Sequence, residues 1–141
     1  MEPVIRKRPV KLGEYLETMS KAVFQAGISR RMVEYKWPEI KHAFYGFHPT
    51  VVAHMTSADA ERLTHDWRVI RNRRKIEAVI GNARRLIELD KKHAGFPNYL
   101  SCHNCFTDLV EDLGKQFRFL GEKGAYHFLS NVGEDVPPYE Q

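Results

Sequence analysis

Apolar residues recur at helical spacing through most of this chain. Leu12, Leu16, Met19, Val23 and Ala26 mark one face of a first helix predicted over Gly13 to Gln25, with Gly27 as its stop. Ser29 is positioned to cap a second, short helix, which the pattern ends where Pro38 begins a third. That third helix turns Ile40, Ala43 and Phe44 toward the core and ends near Gly46. Pro49 fits the first turn of a short helix to Met55. Thr56-Ser57-Ala58-Asp59 reads as a capping box with Asp in the acidic position, opening a helix to Thr64. After a turn from His65 to Arg71 comes the longest helix. Its apolar face is Ile76, Val79, Ile80, Ala83, Leu86 and Ile87, its opposite face Arg74, Ala78, Gly81 and Arg85, and it ends near His93-Ala94-Gly95. Two helices follow, over Phe106 to Gln116 and Glu122 to Val132. No segment alternates over enough residues to make a strand. The expected fold is an all-α bundle of short helices: a basic arm over residues 1–12, one domain over 13–132, and an irregular tail over 133–141 with Pro137-Pro138.

Charge changes this picture at one place. Five of the eight residues from Arg68 to Lys75 are cationic: Arg68, Arg71, Arg73, Arg74 and Lys75, with Asn72 among them. They lie just before and inside the first turn of the long helix, where the macrodipole is already positive. A cluster that repels its own helix end invites an anion, and a phosphate backbone would meet both free backbone N–H groups and arginines. Ala58 to Asn82 thus reads as helix, turn, helix, with the second helix led by cations. Such a helix-hairpin-helix element holds DNA phosphates without reading bases. A solvated charged face on a plain helical hairpin is the alternative.

The remaining composition mostly excludes. At 141 residues and 43% hydrophobic, the chain fits one folded domain with its own core. Net charge is only +4, so its clustering says more than its total. Two cysteines give no disulfide framework. No apolar run approaches a membrane span, and no apolar signal core follows the basic residues Arg6, Lys7, Arg8 and Lys11. A cytoplasmic protein is expected, associated with the nucleoid when bound to DNA. Cys102-His103-Asn104-Cys105 has a metal-like look, but two thiols and one imidazole fall short of a closed zinc site. No metal, cofactor, phosphate loop or serine nucleophile is expected.

Four blocks then match, in order, a known family. They are Phe24-Gln25-Ala26-Gly27-Ile28-Ser29, Ala43-Phe44-Tyr45-Gly46-Phe47-His48-Pro49, the run from Ile70 to Arg84, and Phe117-Arg118-Phe119-Leu120-Gly121. Together they resemble the DNA-3-methyladenine glycosylase I family, part of the helix-hairpin-helix glycosylase superfamily, over about Tyr15 to Val136. The resemblance implies base excision: an alkylated adenine is extruded from double-stranded DNA into a pocket and its N-glycosidic bond is cleaved by water. It also places Gln25, Ile28 and Ser29 where the family probes the duplex and fills the gap left by the base.

This chain departs from the family pattern where the chemistry lies. Ala22 stands where the family has a pocket glutamate, and Arg30 where it has a stacking tryptophan. The threonine-containing stretch after the late glycine is Glu122-Lys123. The family's aromatic N-terminal segment is largely absent from the sequence, as are its zinc-tying cysteine and histidine residues. Glu122 and Tyr126 are four apart on the last predicted helix and share a face. If that helix borders the pocket, Glu122 is the candidate acid and Tyr126 the candidate stacking ring. The plainer alternatives are a favourable first-turn acid and a core aromatic. The expected function is excision of 3-methyladenine in base-excision repair, with a non-catalytic module that recognises damaged or distorted duplex as the other reading.

Overall fold

A computed structural model describes residue 9 and residues 11–138. Most of the basic arm and the end of the tail lie outside those residues. The described residues form eight α-helices and no strand. These are α1 (Leu12–Gln25), α2 (Arg30–Ala43), α3 (Pro49–Ala53), α4 (Ser57–Thr64), α5 (Arg73–Lys92), α6 (Phe96–Ser101), α7 (Phe106–Gln116) and α8 (Glu122–Asn131), with a 3₁₀ turn over Tyr45–Phe47 between α2 and α3.

Helix α5 is the central post. It packs against α1, α3, α4 and α6, while α1 also carries α2 and α8, and α8 carries α7. Ile76, Val79, Ala83 and Leu86 are fully buried along it, each large one contributing roughly 1.5–3 kcal/mol of burial. Because neighbours surround it on several sides, burial runs beyond the predicted stripe. Ala78, expected on the outer face, is fully buried, and so is Lys75 at 3% exposure. A helix enclosed this way reads from sequence as amphipathic, yet of its first eight residues only Arg73, Arg74 and Glu77 are exposed. Ala26 departs in the other direction: α1 ends at Gln25, and Ala26 is exposed in the turn that follows.

Pro38 does not start a new helix. It sits inside a continuous α2. Proline removes one helical hydrogen bond and crowds the preceding turn. Here both Pro38 and Glu34, whose carbonyl loses its donor, face solvent. The next-door Trp37 holds the helix in place: its ring stacks on Phe47 at 5.3 Å and its Nε1 donates to Glu17 Oε2 at 2.8 Å. The chain then reverses through Gly46 at φ 72, a left-handed conformation that glycine adopts without a Cβ clash.

The capping box before α4 forms as the sequence predicts. The Thr56 N–H donates to Asp59 Oδ2 at 2.8 Å, and the Asp59 N–H donates to Thr56 Oγ1 at 3.3 Å. One helix escapes the sequence reading. Helix α6 has six residues, too few to show a period, and is fixed by the Phe96 N–H donating to Asp90 Oδ1 at 2.9 Å.

Candidate active site

A cleft of about 690 Å³ opens between the end of α1, the α1–α2 turn and the start of α8. Ala22, Gln25, Gly27 and Ile28 form one wall, and Phe119, Gly121, Glu122 and His127 form the other, with Arg30 and Lys123 also lining it. It is large enough for a purine-sized ligand.

Both walls are tied to α5 by buried polar side chains. Lys75 reaches the first wall: its Nζ donates to the Phe24 carbonyl at 3.1 Å and also to the Ala26 carbonyl. These are carbonyls at the end of α1, which lack helical partners. Burial lowers the Lys75 pKa. Asn82, two turns further along α5 and 2% exposed, reaches the second wall. Its Oδ1 accepts from the Arg118 N–H at 2.8 Å and its Nδ2 donates to the Arg118 carbonyl at 3.1 Å. That two-point clamp fixes the turn leading into α8. The next residue, Phe119, is held at φ 56 with its ring 38% exposed toward the cleft. Phenylalanine rarely adopts this left-handed conformation, and such strain concentrates at functional sites.

The sequence candidates therefore divide. Gln25 and Ile28 line the cleft, and Ile28 is partly buried against the core. Ser29 is occupied as the cap of α2, its Oγ accepting from the Met32 N–H at 3.4 Å. Glu122 lines the cleft as the first residue of α8. Tyr126 does not join it there. Its ring meets Phe106 edge-on at 4.8 Å, beside a separate cavity of about 340 Å³ that Glu122 also borders. One helical turn displaces Tyr126 toward α7, so sharing a helix face with Glu122 does not bring both into the cleft.

The basic cluster divides too. Lys75 is not a surface cation, because its ammonium is committed inside the fold. Arg68 grips Asp66 through Nε to Oδ1 at 3.0 Å and Nη2 to Oδ2 at 2.6 Å, and donates from Nη1 to His42 Nδ1 at 2.9 Å. Arg73 pairs with Glu61, and with Glu77 at 2.7 Å. Asn72 caps α5, its Oδ1 accepting from the Lys75 N–H at 3.1 Å. Arg71 and Arg74 are exposed, and their side chains make no ion pair or hydrogen bond among the described residues.

Sequence reasoning passed over Phe119, His127, Asn82 and the role of Lys123. Burial first, and then Arg30 and Lys123, lower the His127 pKa. The cleft thus carries two cations against the single carboxylate of Glu122. Among the described residues no group of three histidines, cysteines or acids is disposed to hold a metal ion. Cys102 and Cys105 are exposed free thiols. No helix among the described residues is long and apolar enough to cross a membrane.

Comparison with known proteins places this arrangement. Residues 11–134 match the family model described as methyladenine glycosylase. The chain is 37% identical over 92 residues to DNA-3-methyladenine glycosylase 1 of Escherichia coli (strain K12), a match spanning 60% of this chain but only about half, 49%, of that relative. It is 27% identical over 130 residues to DNA-3-methyladenine glycosylase of Haemophilus influenzae, covering 77% of this chain and 70% of the relative. Among solved structures, a variant of 3-methyladenine DNA glycosylase I in complex with 3-methyladenine superposes with a TM-score of 0.78 at 23% identity, covering 92% of this chain and 81% of that one. The Staphylococcus aureus 3-methyladenine DNA glycosylase I gives a TM-score of 0.77 at 23% identity, covering 94% and 79%. At those identities the superpositions speak for the fold; the family match, spanning nearly all the described residues, goes further. This chain belongs to the methyladenine glycosylase family.

Proposed function

We propose that this protein is a DNA N-glycosylase that removes alkylated adenine, 3-methyladenine in particular, from double-stranded DNA in base-excision repair. The single observation that carries the reading is the cleft. It lies in a family whose curated relatives are named for this activity, and both its walls are tethered to the helix that begins with the basic hairpin. Arg71 and Arg74 hold phosphates, Gln25 and Ile28 enter the duplex, and the extruded base enters the cleft against Phe119. Water attacks the sugar carbon as the glycosidic C–N bond breaks. The bonding electrons leave with the alkylated base, neutralising its positive charge, and the water gives up a proton. Glu122 is the carboxylate of the cleft, available to orient that water. No metal or covalent intermediate enters this scheme. The protein acts in the cytoplasm, on the nucleoid.

A second reading rests on one feature. Arg30 and Lys123 oppose a cationic base, and with Ala22 in place of the glutamate they face Glu122 as the one acid lining the cleft. A non-catalytic module of this fold that recognises distorted duplex accommodates that charge better. Chromatography of bases freed from methylated duplex separates the two. Release of 3-methyladenine that falls in Glu122→Gln establishes the glycosylase and its acid. Unchanged release keeps the enzyme and removes Glu122 from it. No release, with salt-sensitive binding to the same duplex, favours the module.

A further inference from the structure

The turn between α4 and α5 carries a feature outside the cleft and outside the cationic cluster. Trp67 is 68% exposed. An exposed tryptophan offers a large, rigid ring with little rotamer entropy to lose on contact with a partner. The turn that presents it is fixed from several sides. The Trp67 carbonyl accepts from Lys36 Nζ of α2 at 3.2 Å. Asp66, the preceding residue, accepts from the Arg68 N–H at 2.9 Å as well as from its guanidinium. Val69 and Ile70 are buried at 1% and 9% exposure and anchor the far side. The backbone that carries the ring is therefore anchored on both sides.

Its surroundings identify the occupant. Asp66 is the only acid from His65 to Asn72, and Arg68 neutralises it. Arg71 and Arg74, the two arginines of the cationic cluster without side-chain partners among the described residues, follow within seven positions. A flat apolar ring four and seven residues before two uncommitted cations matches a nucleic-acid strand, whose sugars offer apolar faces between phosphates. We propose that Trp67 packs against the deoxyribose of the strand held by Arg71 and Arg74, adding an uncharged contact to the hairpin's ionic grip. The proposal rests on the DNA-binding half of the function above but not on catalysis.

The chain has two tryptophans, and Trp37 is buried at 6% exposure, so the difference between the native protein and Trp67→Phe isolates Trp67 emission. Titration with an undamaged 20-base-pair duplex is expected to change that emission and shield it from a soluble quencher. Trp67→Ala should weaken binding roughly fivefold to tenfold, with Trp67→Phe recovering most of it. The slope of log affinity against log salt should stay unchanged in Trp67→Ala yet fall by about one in Arg71→Ala, because only the arginine releases counterions. Native affinity in Trp67→Ala, or emission unmoved at saturating duplex, overturns the proposal while leaving DNA binding intact. Emission that changes with protein concentration alone assigns the ring to self-association and overturns it too. No binding by the native protein removes the DNA-binding reading itself.

Discussion

Replacing Lys75 by methionine tests whether the cluster's most buried cation is structural. Methionine keeps the unbranched stem and loses the ammonium. Two hydrogen bonds vanish, to the carbonyls of Phe24 and Ala26, and each charge-assisted bond is worth roughly 1.5–3 kcal/mol. Part of that loss is offset, because the native fold holds a cation at 3% exposure and the variant does not. The expected net destabilisation is about 2–3 kcal/mol, read in urea as a midpoint lowered by roughly 1 M with little change in slope. The pH dependence provides a second reading. Burial lowers the folded-state pKa of Lys75, so above it the unfolded chain binds more protons than the folded one. Native stability should therefore gain a contribution as pH rises from that lowered value toward the ordinary 10.5, and Lys75→Met should lack it. Taking the difference between the two proteins cancels the tyrosines that ionise in the same range. A midpoint unmoved by the substitution, with a DNA salt slope reduced by about one, would refute this reasoning and restore Lys75 as a phosphate contact.

Asn82→Leu removes the clamp on Arg118 and should cost about 1–3 kcal/mol in urea unfolding, from two backbone groups left unpaired. Its base release should fall more than its affinity for duplex, because Phe119 loses its fixed position; equal losses would count against the clamp as a device of the cleft. Arg74→Ala should lower the DNA salt slope by about one, and Arg73→Ala by less, since Arg73 is engaged by Glu61 and Glu77; equal slopes would contradict that division. Hydrogen bonding from Arg68 holds the Asp66 carboxyl at about 2, below the ordinary 3.8. That stabilisation is complete above about 3.8 and is lost as pH falls toward 2, so Asp66→Asn should flatten the acid limb of stability over this window. An unchanged acid limb would show that the pair contributes nothing.

Local rules made much of this molecule legible in its sequence. Apolar periodicity located the long helix that became α5, and the Thr56–Asp59 capping box fixed the start of α4 within its own four residues. The blocks over Phe24–Ser29 and Phe117–Gly121 carry the family resemblance, and residues of both line the cleft. Those features depend on neighbours in the chain, which a sequence displays. Partners far along the chain decided the rest. Lys75 looks like one cation among five, and only the approach of α1, with carbonyls 51 and 49 positions away, makes it a buried tether. Asn82 looks like a polar residue near an apolar face until the Arg118 backbone arrives 36 positions on. Tyr126 left the cleft because α7 offered Phe106, and Pro38 stayed helical because Trp37 found Phe47. Sequence spacing sets which residues share a helix face, but what that face meets depends on how the helices pack.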